Sequence, residues 1–200
     1  MIAGPNGAGK TTFYEVQLRR LTDAEFVNAD NLVLAKLGHF AATPAESALG
    51  QALAEARRAA LIEAGADLVM ESTFSHPSKV ELVETAKAAG YRIVLYHLHL
   101  RDADLAVGRV GSRVARGGHP APEARVRGRF ARNPPLIRQA ALLADQAFVF
   151  DNSALAEPPR RVLTLSAGRV VQVAAPLPAW VRTIYGADLR GSRRRTPPGH

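Results

Sequence analysis

Short apolar runs alternate along this chain with longer stretches of helical character, and the alternation predicts strands and helices in turn. Met1-Ile2-Ala3 reads as the end of a buried strand, followed by a helix over residues 11–21. Residues 25–29 predict a short second strand that stops at Asp30. Residues 44–64 predict a long helix: Pro44 suits a first turn, the Ala, Leu, Glu and Arg content favours helix, and Gly65 ends it. A third strand spans residues 67–70, just before Glu71, and residues 72–76 form a loop. Pro77 opens a helix that reaches Ala89 and stops at Gly90. Residues 91–100 alternate β-branched, aromatic and apolar side chains, the mark of a fourth strand. Helices follow over 102–116 and 122–130, joined by the turn Gly117-Gly118-His119-Pro120, and Pro134-Pro135 starts another that runs to Ala144. Residues 147–150 are a fifth strand, ending at Asp151-Asn152-Ser153. Residues 161–167 and 169–174 predict a hairpin turning at Ala167-Gly168, and residues 180–185 a closing helical turn.

This order predicts an α/β fold with right-handed crossovers and a parallel sheet flanked by helices. In such a sheet ligands gather at the carboxyl ends of the strands. That rule sends the loop after the first strand, Asp30, Glu71 and Asp151 to one rim. No internal repeat and no second domain appear, so residues 1–187 read as a single domain. Residues 102–133 form its candidate lid, and 188–200 a basic tail expected to be disordered.

The loop itself carries chemistry. Gly4-Pro5-Asn6-Gly7-Ala8-Gly9-Lys10-Thr11-Thr12 fits the phosphate-binding pattern G-x-x-x-x-G-K-[ST] in the strand, loop, helix context it requires. The glycines let backbone N–H groups turn inward around an anion. Lys10 places a point charge on the β- and γ-phosphates, and the Thr11 hydroxyl suits the oxygen shell of Mg²⁺. The helix opening at Lys10 adds its positive dipole end. Only three residues precede Gly4, fewer than the roughly five or six of an ordinary strand.

Composition narrows the class. Two hundred residues with 47% apolar content support one domain with a substantial core. There is no cysteine, hence no disulfide framework and no thiolate chemistry. No secretory leader and no apolar run of about eighteen residues is read, which predicts a soluble, cytoplasmic protein without membrane partners. The net charge of +8 lies partly in residues 190–200, where a solvated end is the expected state.

Asp30 sits where a strand meets the phosphate rim, flanked by Asn28 and Asn31. A carboxylate there can accept a hydroxyl proton and orient the oxygen for in-line attack. Aspartate is also among the best helix N-caps, so a cap for a helix beginning near Leu32 is the alternative, and the rim position favours the catalytic reading. Glu71 ends the third strand, where an acidic residue can serve the Mg²⁺ shell. Ser72 and Thr73 add hydroxyls for a polar substrate or water. Arg109, Arg113 and Arg116 share one helix face, as do Arg125, Arg129 and Arg132. Two such stripes folded together form a lid over a polyphosphate, or else two solvated faces or a nucleic-acid patch. The histidines point to no site. No H-E-x-x-H or Cys/His cluster is present, and His97 and His99 share a strand face expected to pack on a helix.

Taken together, the phosphate loop, Asn28-Ala29-Asp30, Glu71-Ser72-Thr73, Arg113-Val114-Ala115-Arg116-Gly117-Gly118-His119, the arginines of 125–132 and Asp151-Asn152-Ser153 resemble the zeta toxin family of small kinases. The likeness runs from Gly4 to Ser153. It implies an adenylate-kinase-like P-loop NTPase fold with an arginine-rich helical lid. It also implies ATP- and Mg²⁺-dependent phosphorylation of a sugar hydroxyl on a nucleotide-sugar, typically UDP-N-acetylglucosamine. Such a product starves cell-wall synthesis, and the family usually has an antitoxin, which here would be a separate protein.

By motif position, Asp30 matches the catalytic base. Gly4, Asn6, Gly7, Ala8, Gly9, Lys10, Thr11 and Thr12 match the ATP cradle, with Thr11 toward the metal. Glu71 and Thr73 match the substrate pocket. Arg113 and Arg129 fit the γ-phosphate arginines best, with Arg116 and Arg132 as rivals, and Asp151-Asn152-Ser153 falls near the adenine edge. The chain departs from longer members in lacking their extra substrate-binding helices. Two other readings of the same loop are a P-loop kinase acting on a nucleoside or simple sugar, and a nucleic-acid-stimulated ATPase. The latter lacks an aromatic-interleaved basic groove.

Overall fold

Five strands pair in parallel at the centre of the molecule: β1 (Ile2–Ala3), β2 (Glu25–Val27), β3 (Leu68–Ser72), β4 (Val94–His99) and β5 (Gln146–Asp151), in the order β2-β3-β1-β4-β5. The computed structural model describes residues 1–118 and 120–193, and the side chains of 1–118 and 120–190. The expected hairpin is present as β6 (Arg160–Ser166) and β7 (Arg169–Val173) and extends the sheet antiparallel from β5. The parallel sheet read from the sequence is therefore the larger part of a mixed, seven-stranded sheet. β1 is short but fully buried, and the Met1 carbonyl continues the ladder by accepting from the Tyr96 amide at 2.8 Å.

Helices cover both faces. α1 (Lys10–Phe13) passes into a π-helical segment, Tyr14–Leu18, instead of the single helix expected to residue 21. Its Tyr14 ring stacks on Phe26 with centroids 3.8 Å apart. α2 (Ala29–Leu37) and α3 (Pro44–Glu63) lie over the β2 edge, α4 (Ser78–Ala88) follows β3, and α5 (Ala103–Val114) follows β4. Thr43 and Glu46 close a capping box at the start of α3, and Asp102 caps α5 by accepting from the Leu105 amide. One apolar cluster joins Leu98, Phe13, Ala106, Val110 and Val126. Another joins Leu95, Val149, Ile137, Leu163, Leu165 and Tyr185 on the opposite face. Complete burial of Leu95 and Leu98 is worth about 1.5–3 kcal/mol each.

Two boundaries differ from the sequence reading. The helices expected on either side of Pro134-Pro135 are one continuous α6 (Glu123–Leu143). The two prolines remove amides that would serve the Phe130 and Ala131 carbonyls, yet packing of Val126, Ile137, Ala140 and Ala141 on both sides holds the helix together. The final helix, α7 (Ala179–Arg193), runs far past Tyr185 and into the stretch expected to be a disordered tail. Trp180, Val181 and Tyr185 bury one face of it, and Arg138 binds Asp188 with two 2.7 Å hydrogen bonds. His119 of the lid turn and residues 194–200 of the tail lie outside the described residues. No helix among the described residues is long and apolar enough to cross a membrane.

Candidate active site

The loop after β1 turns sharply between β3 and β4, at the point where the strand order reverses. Gly4 is required by proximity: a Cβ there would sit 2.1 Å from the Leu98 carbonyl oxygen. Gly9 takes a left-handed conformation, φ 82°, as the residue before α1, and no side chain caps that helix start. The opening amides are thus left to an anion. Asn152 Nδ2 donates to the Ala8 carbonyl at 2.9 Å and ties the loop to the end of β5.

The Lys10 amine is buried, donates to the Pro5 carbonyl at 3.1 Å and lies 3.6 Å from Glu71 Oε1. Burial pulls its pKa down, while the charges of Glu71 and Asp30 pull it up. Glu71 Oε2 accepts from Thr11 Oγ1 at 2.7 Å and from Asn28 Nδ2 at 2.9 Å. Glu71 therefore contacts the phosphate loop, as the Mg²⁺ reading of the third strand expects, and lines the same cleft as Thr73. A threonine hydroxyl and a carboxylate in contact beside a buried ammonium form the oxygen-rich set that Mg²⁺ shares with phosphates, so these residues fit the ion.

Asp30 is not the helix cap. Asn28 caps α2: its Oδ1 accepts from the Asp30 and Asn31 amides at 2.8 and 3.1 Å. The Asp30 carboxylate lines the same cavity as Lys10 and Thr11, in the first turn of α2, and its charge raises the pKa of both Lys10 and Arg129. Thr73 lines the cavity too, with its hydroxyl 3.3 Å from that of Ser75. Next to it, Phe74 has φ 51° and a fully buried ring, a backbone strain of about 1–3 kcal/mol that turns the chain at the cavity wall.

The lid arginines divide. Arg109, Arg113, Arg116, Arg125 and Arg129 line the cavity. Arg113 lies close enough to Lys10 to lower its pKa, and Arg129 Nη1 donates to Asn6 Oδ1 at 3.5 Å. Burial lowers the Arg129 pKa, with the charge of Arg125 acting in the same direction. Arg132 is a correction: it is absent from the cavity wall, and its guanidinium folds back over Gly128. Arg127 bonds Glu123 on its own helix and Asp104 on α5, which holds the two lid helices together. Asp151 turns toward α7, accepting from Trp180 Nε1 at 3.2 Å and from Ser153 Oγ, so of that trio only Asn152 reaches the cavity.

The cleft encloses about 1150 Å³, above the roughly 300–1,000 Å³ of a single-ligand pocket. It has two ends. Segment 152–159 and the lid flank the phosphate loop on one side. On the other, Gln51, Glu55 and Arg58 of α3 face Ser75, His76 and Lys79. Sequence reasoning missed that α3 wall; its only trace is the i, i+4, i+7 spacing of three polar residues. Among the described residues no group of three or more His, Cys, Asp or Glu is placed to hold a metal alone.

Residues 1–135 of the chain match the AAA_33 family, an AAA domain. The chain is a member of that family. The match spans the phosphate loop, Asp30, Glu71 and the whole of the candidate lid. No curated protein sequence matches this AAA_33 domain. Among solved structures it is similar to the AvrRxo1-ORF1:-ORF2 complex with ATP (TM-score 0.65, 17% identity), covering 100% of this chain and 64% of that one. It thus spans less than two thirds of the AvrRxo1 chain. It is also similar to the PezAT chromosomal toxin–antitoxin system of Streptococcus pneumoniae (TM-score 0.58, 13% identity, 98% and 83% covered). A third similar structure is a putative kinase from Chloroflexus aurantiacus (TM-score 0.56, 20% identity, 76% and 86% covered). The shared fold is P-loop kinase-like, and the zeta toxin resemblance read from the motifs is matched at the level of fold.

Proposed function

We propose that this AAA_33 domain is an ATP-dependent, Mg²⁺-assisted kinase that phosphorylates a sugar hydroxyl of a nucleotide-sugar such as UDP-N-acetylglucosamine. One observation carries the reading: Asp30 lines the same cleft as Lys10, Thr11 and Glu71, under arginines from both lid helices. The loop amides and Lys10 hold the triphosphate. Thr11 and Glu71 would hold Mg²⁺, which would supply charge neutralisation to the transferring phosphates. Arg113 and Arg129 stabilise charge spreading on the transferred group. Asp30 accepts the proton of the attacking hydroxyl and keeps that oxygen in line. The size of the cleft supports two ligands side by side. That these arginines face the phosphate loop supports phosphate gripping over nucleic-acid binding. Neighbours that include a toxin–antitoxin system support a separate antitoxin partner.

The test is an acceptor panel of nucleotide-sugars, nucleosides and free sugars with γ-labelled ATP, the product's phosphate located by mass spectrometry. Label on a nucleotide-sugar hydroxyl is the expected result. Label on a nucleoside or free sugar alone would replace the acceptor, and none on any acceptor would remove the kinase reading.

A further inference from the structure

Asn28 is polar, uncharged and only 5% exposed, and it stands between two groups of the site. It follows β2 directly, and the parallel register that pairs Val27 with Met70 carries it alongside Glu71, the next residue of β3. Its Nδ2 donates to Glu71 Oε2 at 2.9 Å. Its Oδ1 accepts from the Asp30 and Asn31 amides at 2.8 and 3.1 Å. One side chain thus touches both the carboxylate that meets Thr11 and the first turn of the helix that carries Asp30.

Capping alone does not require asparagine. Aspartate and serine cap about as well, but an ionised aspartate has no donor, and a serine hydroxyl turned to the amides has no second arm. Aspartate here would also set a second carboxylate at hydrogen-bond distance from Glu71, where like charges repel. The backbone of Asn28, φ −128° and ψ 125°, is ordinary extended geometry that asks for no particular residue. The pair of contacts, not the helix start, therefore explains the residue type. Glu71 Oε2 is held by Thr11 from α1 and by Asn28 from the junction of β2 and α2, while Lys10 of α1 stands 3.6 Å from Oε1. Without the amide of Asn28, these contacts to Glu71 come from α1 alone.

We propose that Asn28 is a positioning residue that holds the Glu71 carboxylate in register with the helical turn bearing Asp30, so that one buried side chain sets the metal side and the base side of the cleft together. This rests on reading the cleft as a kinase site. Asn28 acts through Glu71 and the backbone of α2. Removal of an outer partner that orients a metal-side carboxylate typically costs about 10–100-fold in metal affinity or activity.

The test uses the full chain with Asn28→Ser, which keeps a capping oxygen and drops the amide arm. Its unfolding midpoint should stay near wild type. The Mg²⁺ concentration for half-maximal binding of a fluorescent, non-hydrolysable ATP analogue should rise about tenfold. At saturating Mg²⁺, kcat on UDP-N-acetylglucosamine should fall about 10–100-fold, with KM for that acceptor within about threefold. A double-mutant cycle on the Mg²⁺ midpoint shows whether Asn28 acts through Glu71. Asn28→Ser combined with Glu71→Gln should shift the midpoint no further than the larger single change. Should Asn28→Ser not fold, Asn28→Asp serves, with the same direction expected. An unmoved midpoint in the folded variant, or shifts that multiply in the double variant, overturns the assignment. The two readings separate on turnover. A shifted midpoint in a protein whose wild type transfers to no acceptor supports the Asn28–Glu71 link and removes the kinase. Transfer by the wild type, with the midpoint unmoved in folded Asn28→Ser, keeps the kinase and removes this role.

Discussion

Thr11 Oγ1 donates to Glu71 Oε2 at 2.7 Å, joining residues 60 apart in sequence across the floor of the cleft. In the proposed reading, the contact pre-places one hydroxyl and one carboxylate for a divalent ion. Glu71→Gln keeps the shape and the hydrogen bond to Asn28 but removes the charge. It should raise the Mg²⁺ concentration needed for half-maximal transfer by about 10-fold or more, with little change in the apparent affinity for ATP in saturating metal. A Mg²⁺ titration of the initial rate decides; an unchanged midpoint would send Glu71 back to the substrate side.

Asp30 can be tested without damage to its helix, because Asn28 supplies the cap. Asp30→Asn should leave unfolding midpoints near wild type and cut phosphoryl transfer by about 10²–10⁴-fold. Binding of a fluorescent ATP analogue should persist. Transfer at the wild-type rate in this variant would end the assignment of Asp30 as base.

What the sequence made legible was local. The phosphate loop, the Pro44 start of α3, the Asp102 start of α5 and the hairpin each carry their signal within a few neighbouring residues. What it hid depends on partners far along the chain. Glu71 could be placed on the rim, but that it faces Thr11 and Lys10 is a product of β1–β3 pairing. Pro134-Pro135 looked like a helix start because local propensity says so; burial of Ile137 and Ala140 overrides it. The charge of residues 188–193 masked a helix anchored from Trp180 to Asp188. Arg58 entered only as part of the Arg content that favours the helix over 44–64, and packing shows it buried. Arg132 keeps the spacing of Arg125 and Arg129, yet folds back over Gly128 because a glycine there leaves room.

Acid should destabilise the fold through its buried histidines. His99 stacks among Phe130 and Trp180, and burial lowers its pKa to about 4 against the opposing charge of Asp151. His97 is driven well below its usual value, first by burial and then by His99, with Tyr185 on its Nδ1. Above about pH 6.5 neither state carries these protons. Below it the unfolded chain takes them up and the folded chain resists, so stability falls as pH drops from 6.5 toward 4. The His99 share is on the order of 3 kcal/mol by pH 4. Urea unfolding at pH 7 and pH 4.5 should show the loss, and His99→Phe, which retains the ring packing, should show a smaller one. Equal losses in both proteins would clear His99 of this role.

The lid offers a paired test within one helix. Arg129 reaches Asn6 of the phosphate loop and senses Asp30, whereas Arg132, three residues on, lies against Gly128 away from the cavity. If Arg129 stabilises the charge that spreads over the transferred phosphoryl group, Arg129→Met should lower kcat by about a thousandfold. The KM for ATP should change far less, since the interaction strengthens only as charge develops. Arg132→Met should stay within about twofold of wild type on both parameters, as a surface substitution with no partner in the cleft. Steady-state kinetics of the two variants, beside a thermal unfolding curve for each, distinguishes the site from the helix that bears it. A drop of similar size in both would mean that positive charge along α6, rather than one placed guanidinium, is what the reaction uses.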